Sequence, residues 1–255
     1  MRYLTVDGRC LEYQWHKGKS VDAPTVVFLH EGLGSIGLWK NFPQQLVDAS
    51  GCSAVVYSRY GNGFSDVLTE ARQPDYMHRE ARAVLPEFLD KLNVSNPILF
   101  GHSDGASIAL IHAAMESSRI LSIVALAPHV IVEDLTLENI RAARTAYQST
   151  DLPSRLSKYH KDADSTFWGW NDIWLSPDFR DWNIESLLSG IRCPVLAIQG
   201  REDEYGTLRQ LDTVQREVPT AELLVLDQCR HSPHRDQPAA LLSAVGGFIR
   251  LYACS

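Results

Sequence analysis

A serine between two glycines is the group in this chain whose type and setting best fit nucleophilic chemistry. Residues 101–105 read Gly-His-Ser-Asp-Gly, and we find no other Gly-x-Ser-x-Gly in the sequence. The apolar run 98–100 precedes this motif, and a helical pattern of small and apolar residues follows it. A strand, a sharp turn and a helix in this order form a nucleophile elbow, which places Ser103 at its tip. We interpret Gly101 and Gly105 as positions where strand and helix approach too closely for a Cβ atom.

A serine hydroxyl becomes a good nucleophile only when a base takes its proton and a third group orients that base. The predicted strand 195–199 ends in a glycine loop that carries acidic residues. In that loop Asp203 lies where a carboxylate just past a strand end would face the elbow. Its neighbours Glu202 and Glu204 are the alternatives, although we assign them to a solvated acidic loop.

Two histidines follow the last predicted strand, 223–226, and either one could be the base. His231 is nearer to the strand end and is our choice. His234 then leads toward the final helix.

Acyl transfer also needs hydrogen-bond donors aimed at the developing oxyanion. We predict one donor in the backbone N–H of Asp104, which follows the serine and lies at a helix N-terminus, where the dipole favours negative charge. The second is expected in the glycine-rich loop after the predicted strand 25–30, and Gly32 is the candidate.

The elements that must position these groups alternate between strands and helices. Continuous apolar runs predict buried strands at 25–30, 53–57, 98–100, 120–127, 195–199 and 223–226. Residues 3–6 and 10–15 predict a hairpin that turns at Asp7-Gly8. Helical patterns cover 38–48, 75–92 with a kink at Pro86, and 236–252. This order predicts an α/β fold, a mostly parallel doubly wound sheet with helices on both faces.

One region, 131–185, lacks a convincing buried strand and is rich in aromatic residues. They are Tyr147, Tyr159, Phe167, Trp168, Trp170, Trp174, Phe179 and Trp182. A long insertion between sheet strands is often a functional lid, so we predict a small helical cap at 131–185, with 1–130 and 186–255 as the core. The candidate substrate-binding residues are His102, Trp168, Trp170 and Trp174. The alternative for each aromatic residue is that it belongs to the cap's own core.

Composition narrows the function classes. The chain has 24 Lys and Arg residues against 31 acidic ones and no basic patch, so we expect no nucleic-acid partner. With no secretory apolar core and no segment of membrane-spanning length, we expect a soluble protein that does not contact a membrane. The odd number and scattered spacing of the five cysteines predict reduced thiols in a cytoplasmic protein. His30-Glu31 begins like a zinc motif, but Gly34 stands where the second histidine should be, so we predict no metal and no cofactor.

The combined motifs resemble those of the α/β-hydrolase superfamily. They are 101–105, the loop 30–34, 57–66, 200–203 and 229–234, and the loop 30–34 resembles that of proline iminopeptidase-like members. The resemblance implies a triad of Ser103, His231 and Asp203, with oxyanion donors from Gly32 and Asp104.

Three residues depart from the family pattern. Glu31 replaces a small residue beside the oxyanion loop, and we expect its carboxylate to turn away and bond elsewhere. Asp104 stands where the family often has Met, Leu or Gln, and its side chain is within reach of a neighbouring helix or the cap. Arg230 replaces the glycine that precedes the histidine in many members.

The sequence therefore predicts a cofactor-free serine hydrolase that cleaves a small carboxylic ester or related acyl bond, with a hydrophobic or aromatic group in the substrate. Carbon–carbon bond hydrolase, lactonase, thioesterase and aminopeptidase activities remain open, because fold does not choose among them. Two alternative hypotheses outside the hydrolases are a ligand-binding protein and a lyase that uses His231 as base. The sequence indicates no oligomeric state.

Overall fold

Eight strands hydrogen-bond into one sheet in the computed structural model of the chain, which describes residues 1–19, 23–116 and 119–253. The strands are β1 Arg2–Val6, β2 Arg9–His16, β3 Thr25–Leu29, β4 Ser53–Tyr57, β5 Ile98–His102, β6 Ser122–Leu126, β7 Val195–Gly200 and β8 Ala221–Leu226. Their order across the sheet is β1-β2-β4-β3-β5-β6-β7-β8. The predicted strands are all present, with ends that differ by up to two residues.

The first two strands form the predicted hairpin and are antiparallel to their neighbours, whereas β3 to β8 are parallel. Asp7 and Gly8 at the hairpin turn both have positive φ, 48° and 71°, as a two-residue hairpin loop requires.

The carboxyl ends of the parallel strands meet at one edge of the sheet. Leu29 at the end of β3 pairs with Gly101 of β5, and Leu226 at the end of β8 pairs with Gly200 of β7. The loops that follow these strands are therefore neighbours, and such an edge is where open α/β sheets bind ligands.

Helices cover both faces of the sheet, which is buried between two hydrophobic clusters. The helices are α1 Phe42–Ser50, α2 Tyr76–Arg79, α3 Leu85–Lys91, α4 Asp104–Glu116, α5 Asp134–Ser149, α6 Leu152–Leu156, α7 Ala163–Leu175, α8 Glu185–Leu188, α9 Arg209–Glu217, α10 Pro233–Asp236 and α11 Pro238–Ala253. Along β3, Val27 and Leu29 belong to one cluster, and Val26 and Phe28 belong to the other. This explains why the strand sequences are continuous apolar runs.

Pro86 and Lys40 mark irregular points within two of the predicted helical segments. The 75–92 segment is helical throughout, but a π-helical turn, Glu80–Val84, separates α2 from α3. Pro86, two residues after this turn, has no N–H to donate to a carbonyl of the turn, which accounts for its irregular hydrogen bonding; the kink predicted at Pro86 stays a prediction. The 38–48 segment consists of a 3₁₀ turn, Ile36–Trp39, and α1, with Lys40 at φ 54° between them.

The 131–185 insertion between β6 and β7 is helical, and its described β-pairing is a single antiparallel bridge between its own two ends, Ile131 and Asn183. Most of its aromatic rings pack against one another. Tyr147 stacks on Phe167 at 3.8 Å, and Phe179 stacks on Trp182 at 5.5 Å, measured between ring centroids. For these four rings the observed role is packing in the hydrophobic core, and Phe179 and Trp182 also contact Tyr76 and His78 outside the insertion.

Cys10, Cys52, Cys193 and Cys229 form no disulfide within the described residues, and Cys254 lies outside them. Across those same ranges, every helix falls short of the length and apolarity that crossing a membrane would require.

Candidate active site

Ser103 lies at the turn between β5 and α4 with a backbone φ of 53°. Its N–H donates to the carbonyl of Leu126 in the next strand at 2.9 Å, which fixes the turn. A Cβ atom on Gly101 would lie 2.3 Å from the carbonyl oxygen of Gly105, and one on Gly105 would lie 2.0 Å from that of Leu29. The close approach predicted for both glycines is present. Positive φ in a non-glycine residue is strained and is held here by the surrounding backbone.

His231 and Asp203 are hydrogen-bonded, with 2.8 Å between His231 Nδ1 and Asp203 Oδ1. The same carboxylate oxygen accepts the backbone N–H of Tyr205 at 2.8 Å, and the carboxylate is almost fully buried. Because a carboxylate only accepts, Nδ1 carries the proton and Nε2 is left to act as a base.

Ser103 and His231 line one cavity of about 220 Å³. Within the described residues Ser103 Oγ makes no hydrogen bond to the imidazole. Such bonds are often long in an unliganded site and tighten when substrate binds.

Asp203 and His231 each shift the pKa of the other. Burial lowers the pKa of His231, but the charge and hydrogen bond of Asp203 outweigh it, so that the pKa is raised above its usual value. Burial raises the pKa of Asp203, but His231 outweighs that effect and lowers it. At neutral pH the carboxylate is ionised and ready to stabilise an imidazolium.

The other candidate base, His234, lies in the core. Its ring is 4.8 Å from that of Trp39 and 6.0 Å from that of Phe42, and burial lowers its pKa to about 3. It has no bond to Asp203 within the described residues.

Glu202 and Glu204 bond to the backbone of the histidine loop, and within the described residues neither makes a hydrogen bond to the His231 ring. Glu202 accepts the N–H of Cys229 at 2.9 Å, and Glu204 accepts the N–H of His231 at 3.1 Å. Arg230 also pairs with Glu204 at 3.1 Å. Glu202 is exposed and Glu204 is partly exposed, as expected for an acidic loop that solvent reaches, and both also bond to backbone N–H groups that are distant in sequence.

The loop after β3 brings Gly32 to the cavity wall. Asn62 Nδ2 donates to the carbonyls of Gly32 and Gly34, both at 3.1 Å, and so fixes the loop. A Cβ atom on Gly32 would lie 2.2 Å from Trp170 Cδ1. Asp104 begins α4, where backbone N–H groups have no intrahelical acceptor and remain available to an anion.

The side chain of Asp104 points to a neighbouring helix. Its Oδ2 accepts the hydroxyl of Tyr76, the first residue of α2, at 2.7 Å and lies 3.7 Å from Arg59 Nη2. Glu31 lines the cavity, but its carboxylate is paired, with Oε2 3.5 Å from His102 Nδ1. Burial raises the pKa of Glu31, and His102 outweighs that and holds it well below its usual value.

Of the predicted substrate-binding residues, Trp170 and Trp174 line the cavity, and His102 and Trp168 do not. The first two are four residues apart on α7 and share one face of that helix. His102 is buried, and its Nε2 donates to the carbonyl of His231 at 2.7 Å. Trp168 lies on another face of α7, with its ring 5.6 Å from that of Tyr147.

The cavity has further lining residues that sequence reasoning missed, among them Leu33, Leu38, His129, Thr136, Ile140, Leu156, Tyr205 and Arg235. His129 stands three positions after Leu126, the end of β6. That position at the carboxyl edge of the sheet is the signal that could have identified it.

A larger depression of about 460 Å³ lies beside the β1–β2 hairpin, but none of Ser103, Asp203 and His231 lines it. The convergence of these three residues, and not volume, defines the candidate site. Residues 1–19, 23–116 and 119–253 contain no group of three or more His, Cys, Asp or Glu side chains that could hold a metal ion.

A family model described as "Alpha/beta hydrolase family" matches residues 26–244. The chain therefore belongs to the alpha/beta hydrolase family and is a hydrolase. A comparison with curated protein sequences finds no match.

Solved structures show the same fold at low sequence identity. An enol-lactonase from Burkholderia xenovorans LB400 is 18% identical, with a TM-score of 0.76 over 97% of this chain and 99% of that chain. The proline iminopeptidase of Mycobacterium smegmatis is 16% identical, with a TM-score of 0.76 over 99% and 98%. A meta-cleavage product hydrolase from Pseudomonas fluorescens IP01 is 16% identical, with a TM-score of 0.74 over 98% of each chain.

Proposed function

We propose that this protein is a cofactor-free serine hydrolase that cleaves small carboxylic esters through an acyl-enzyme. The observation that carries the proposal is the 2.8 Å bond from His231 Nδ1 to a buried Asp203, with His231 and Ser103 lining one cavity. An imidazole oriented by a carboxylate next to a strained serine is the arrangement that activates a hydroxyl nucleophile.

In the first half of the reaction Ser103 Oγ attacks the ester carbonyl carbon, and its proton passes to His231 Nε2. The carbonyl oxygen becomes an oxyanion that accepts the backbone N–H groups of Asp104 and Gly32. Asp203 stabilises the imidazolium without taking its proton. Collapse of the intermediate breaks the bond to the alkoxy oxygen, and His231 returns the proton to the departing alcohol.

In the second half a water molecule attacks the acyl-enzyme, and His231 accepts its proton. The tetrahedral intermediate collapses, Ser103 Oγ takes the proton back, and the carboxylic acid leaves. The net reaction consumes one water and one ester and needs no further reagent.

We propose that residues 131–185 form a cap on a core of 1–130 and 186–255, and that the cap selects the substrate. Trp170, Trp174, Ile140 and Leu156 give the cavity apolar walls, which support a substrate with a hydrophobic or aromatic group. A volume of about 220 Å³ supports a small one. The odd number and scattered spacing of the cysteines support a cytoplasmic setting.

The proposal is tested by turnover of a panel of small esters, lactones, thioesters and aminoacyl amides. We expect the wild-type protein to hydrolyse an activated short-chain ester fastest and Ser103→Ala to abolish that activity. Ser243→Ala, an exposed serine on α11, is the matched control and should keep it. If Ser103→Ala and Ser243→Ala retain equal activity, or if an authentic esterase turns over the panel and this protein does not, the proposal is wrong.

A further inference from the structure

A second histidine, His129, faces the cavity beside His231. It is 2% exposed and lines the same cavity as Ser103. Its ring centroid is 5.8 Å from that of His231 and 5.0 Å from that of Trp174. The mechanism proposed above gives it no role.

The backbone of His129 is fixed, so its ring has a defined place. Ser107 Oγ donates to the His129 carbonyl at 2.6 Å, and the His129 N–H donates to the same Oγ at 3.2 Å. Ser107 lies one turn after Ser103 on α4 and accordingly ties His129 to the elbow.

The two ring nitrogens of His129 differ in burial, and the residue as a whole lines the cavity. Nδ1 of His129 is buried without a hydrogen-bond partner within the described residues, whereas Nε2 is not among the buried unpaired atoms. Burial, followed by the charge of His231, lowers the pKa of His129 to about 4, so the ring is neutral at pH 7. Because an orphaned buried N–H is rarer than an orphaned acceptor, the single proton belongs on Nε2. The cavity thus receives one unpaired N–H donor.

The two oxygens of a bound ester already have partners in the proposed mechanism. The carbonyl oxygen faces the N–H groups of Asp104 and Gly32, and the alkoxy oxygen receives its proton from His231. An acceptor for His129 must therefore come from another part of the substrate. Leaving a donor unpaired against apolar walls such as Trp174 costs free energy, which a substrate acceptor would relieve.

We propose that His129 is a substrate-binding residue whose Nε2–H donates to an oxygen of the substrate outside the scissile ester group. The enzyme then prefers esters that carry an additional ether, keto or hydroxyl oxygen in the acyl or alcohol part. This inference rests on the proposed function and names the substrate class of that same site.

The test compares ester pairs in which one oxygen replaces one methylene. Para-nitrophenyl methoxyacetate against para-nitrophenyl butanoate examines the acyl part, and methoxyethyl acetate against butyl acetate examines the alcohol part. In His129→Phe, which keeps a ring but has no donor, we expect the ratio of kcat/KM within one pair to fall about fivefold to tenfold relative to wild type, the range of one neutral hydrogen bond. His129→Gln, which keeps an amide N–H, should recover part of the ratio.

Folding and the state of the nucleophile are followed by melting temperature and by the rate of labelling with a fluorophosphonate. If His129→Phe does not fold, His129→Leu supplies the donor-free variant. If the ratio of kcat/KM is unchanged in both pairs, because both members of each pair lose activity equally or not at all, the inference is wrong. If that variant is still labelled at the wild-type rate, the proposed function stands. Absence of labelling in the wild type would overturn the proposed function and this inference with it.

Discussion

At the scale of single residues, the site depends on how one carboxylate changes the proton affinity of one imidazole. Burial lowers the pKa of His231, yet Asp203 raises it above the usual value near 6.5. In the proposed mechanism His231 must be neutral to accept the proton of Ser103. Activity is therefore expected to fall as the pH drops through a raised His231 pKa, and to be full above it.

Asp203→Asn removes the charge that raises this pKa and also the acceptor that fixes the imidazole tautomer. We expect kcat to fall by about three to four orders of magnitude and the acid limb of the kcat/KM profile to move to lower pH. The pH dependence of ester hydrolysis measures both. The matched control is Glu202→Gln, which keeps an acceptor for the Cys229 N–H and should leave the limb in place. An unchanged limb and rate in Asp203→Asn would contradict the assignment.

The buried His234 is expected to make the stability of the protein depend on pH. Its folded-state pKa of about 3 lies below the ordinary 6.5, so the unfolded chain binds the proton first as the pH falls. Its contribution to stability is full above about pH 6.5 and is lost toward pH 3. Lowering the pH from about 7 to about 4.5 should decrease the unfolding free energy of the wild type. In His234→Phe we expect this decrease to be smaller by about 2 kcal/mol. Urea unfolding at both pH values checks this, and parallel losses in the two proteins would show that His234 does not titrate in this way.

At the scale of elements, the site is assembled where strand ends and their loops approach one another. Gly105, at the start of α4, lies against the carbonyl of Leu29 at the end of β3, and Gly200, at the end of β7, lies against the carbonyl of Cys229. These contacts bring the serine, acid and histidine loops to one edge.

Gly105→Ala would place a Cβ atom 2.0 Å from the carbonyl oxygen of Leu29, which is backbone and cannot rotate away. We expect a loss of at least about 3 kcal/mol in unfolding free energy. Gly247→Ala is the matched control, since a Cβ there meets nothing within 4 Å and the residue lies in α11. That variant should gain about 0.5–1 kcal/mol from helix propensity. Denaturant unfolding of the two variants and the wild type measures these changes. If Gly105→Ala is as stable as the wild type, the described elbow is contradicted.

Elements with strong local patterns were predictable from the sequence, and long-range contacts were not. Apolar runs at 25–30 and 53–57 identify strands because both faces are buried, and Pro86 marks the helix disturbance because it lacks an N–H. Helical spacing puts Trp168 and Trp170 on different faces of one helix, but the sequence could not show which face lines the cavity. The position of His129 just after β6 was a usable signal, but the sequence did not show that β6 lies next to β5, which carries the elbow.

At the scale of the whole molecule, the 131–185 insertion bonds to the 61–63 loop, whose Asn62 holds the loop that carries Gly32. Thr166 Oγ1 donates to the carbonyl of Gly61 at 2.7 Å, and Lys161 N–H donates to that of Gly63 at 2.7 Å. Trp170 lies over Gly32, so a side chain at position 32 would displace it. The insertion and the loop that carries Gly32 are therefore in contact, and both line the cavity that Ser103 also lines.

The central claim, that Ser103 is an activated nucleophile, is tested most directly by covalent labelling with a fluorophosphonate, read by intact mass and by peptide mapping. The account predicts one label per chain on Ser103 in the wild type, none in Ser103→Ala, and slow labelling in Asp203→Asn. A wild-type protein that stays unlabelled beside a labelled authentic serine esterase, or that carries the label on another residue, would contradict it.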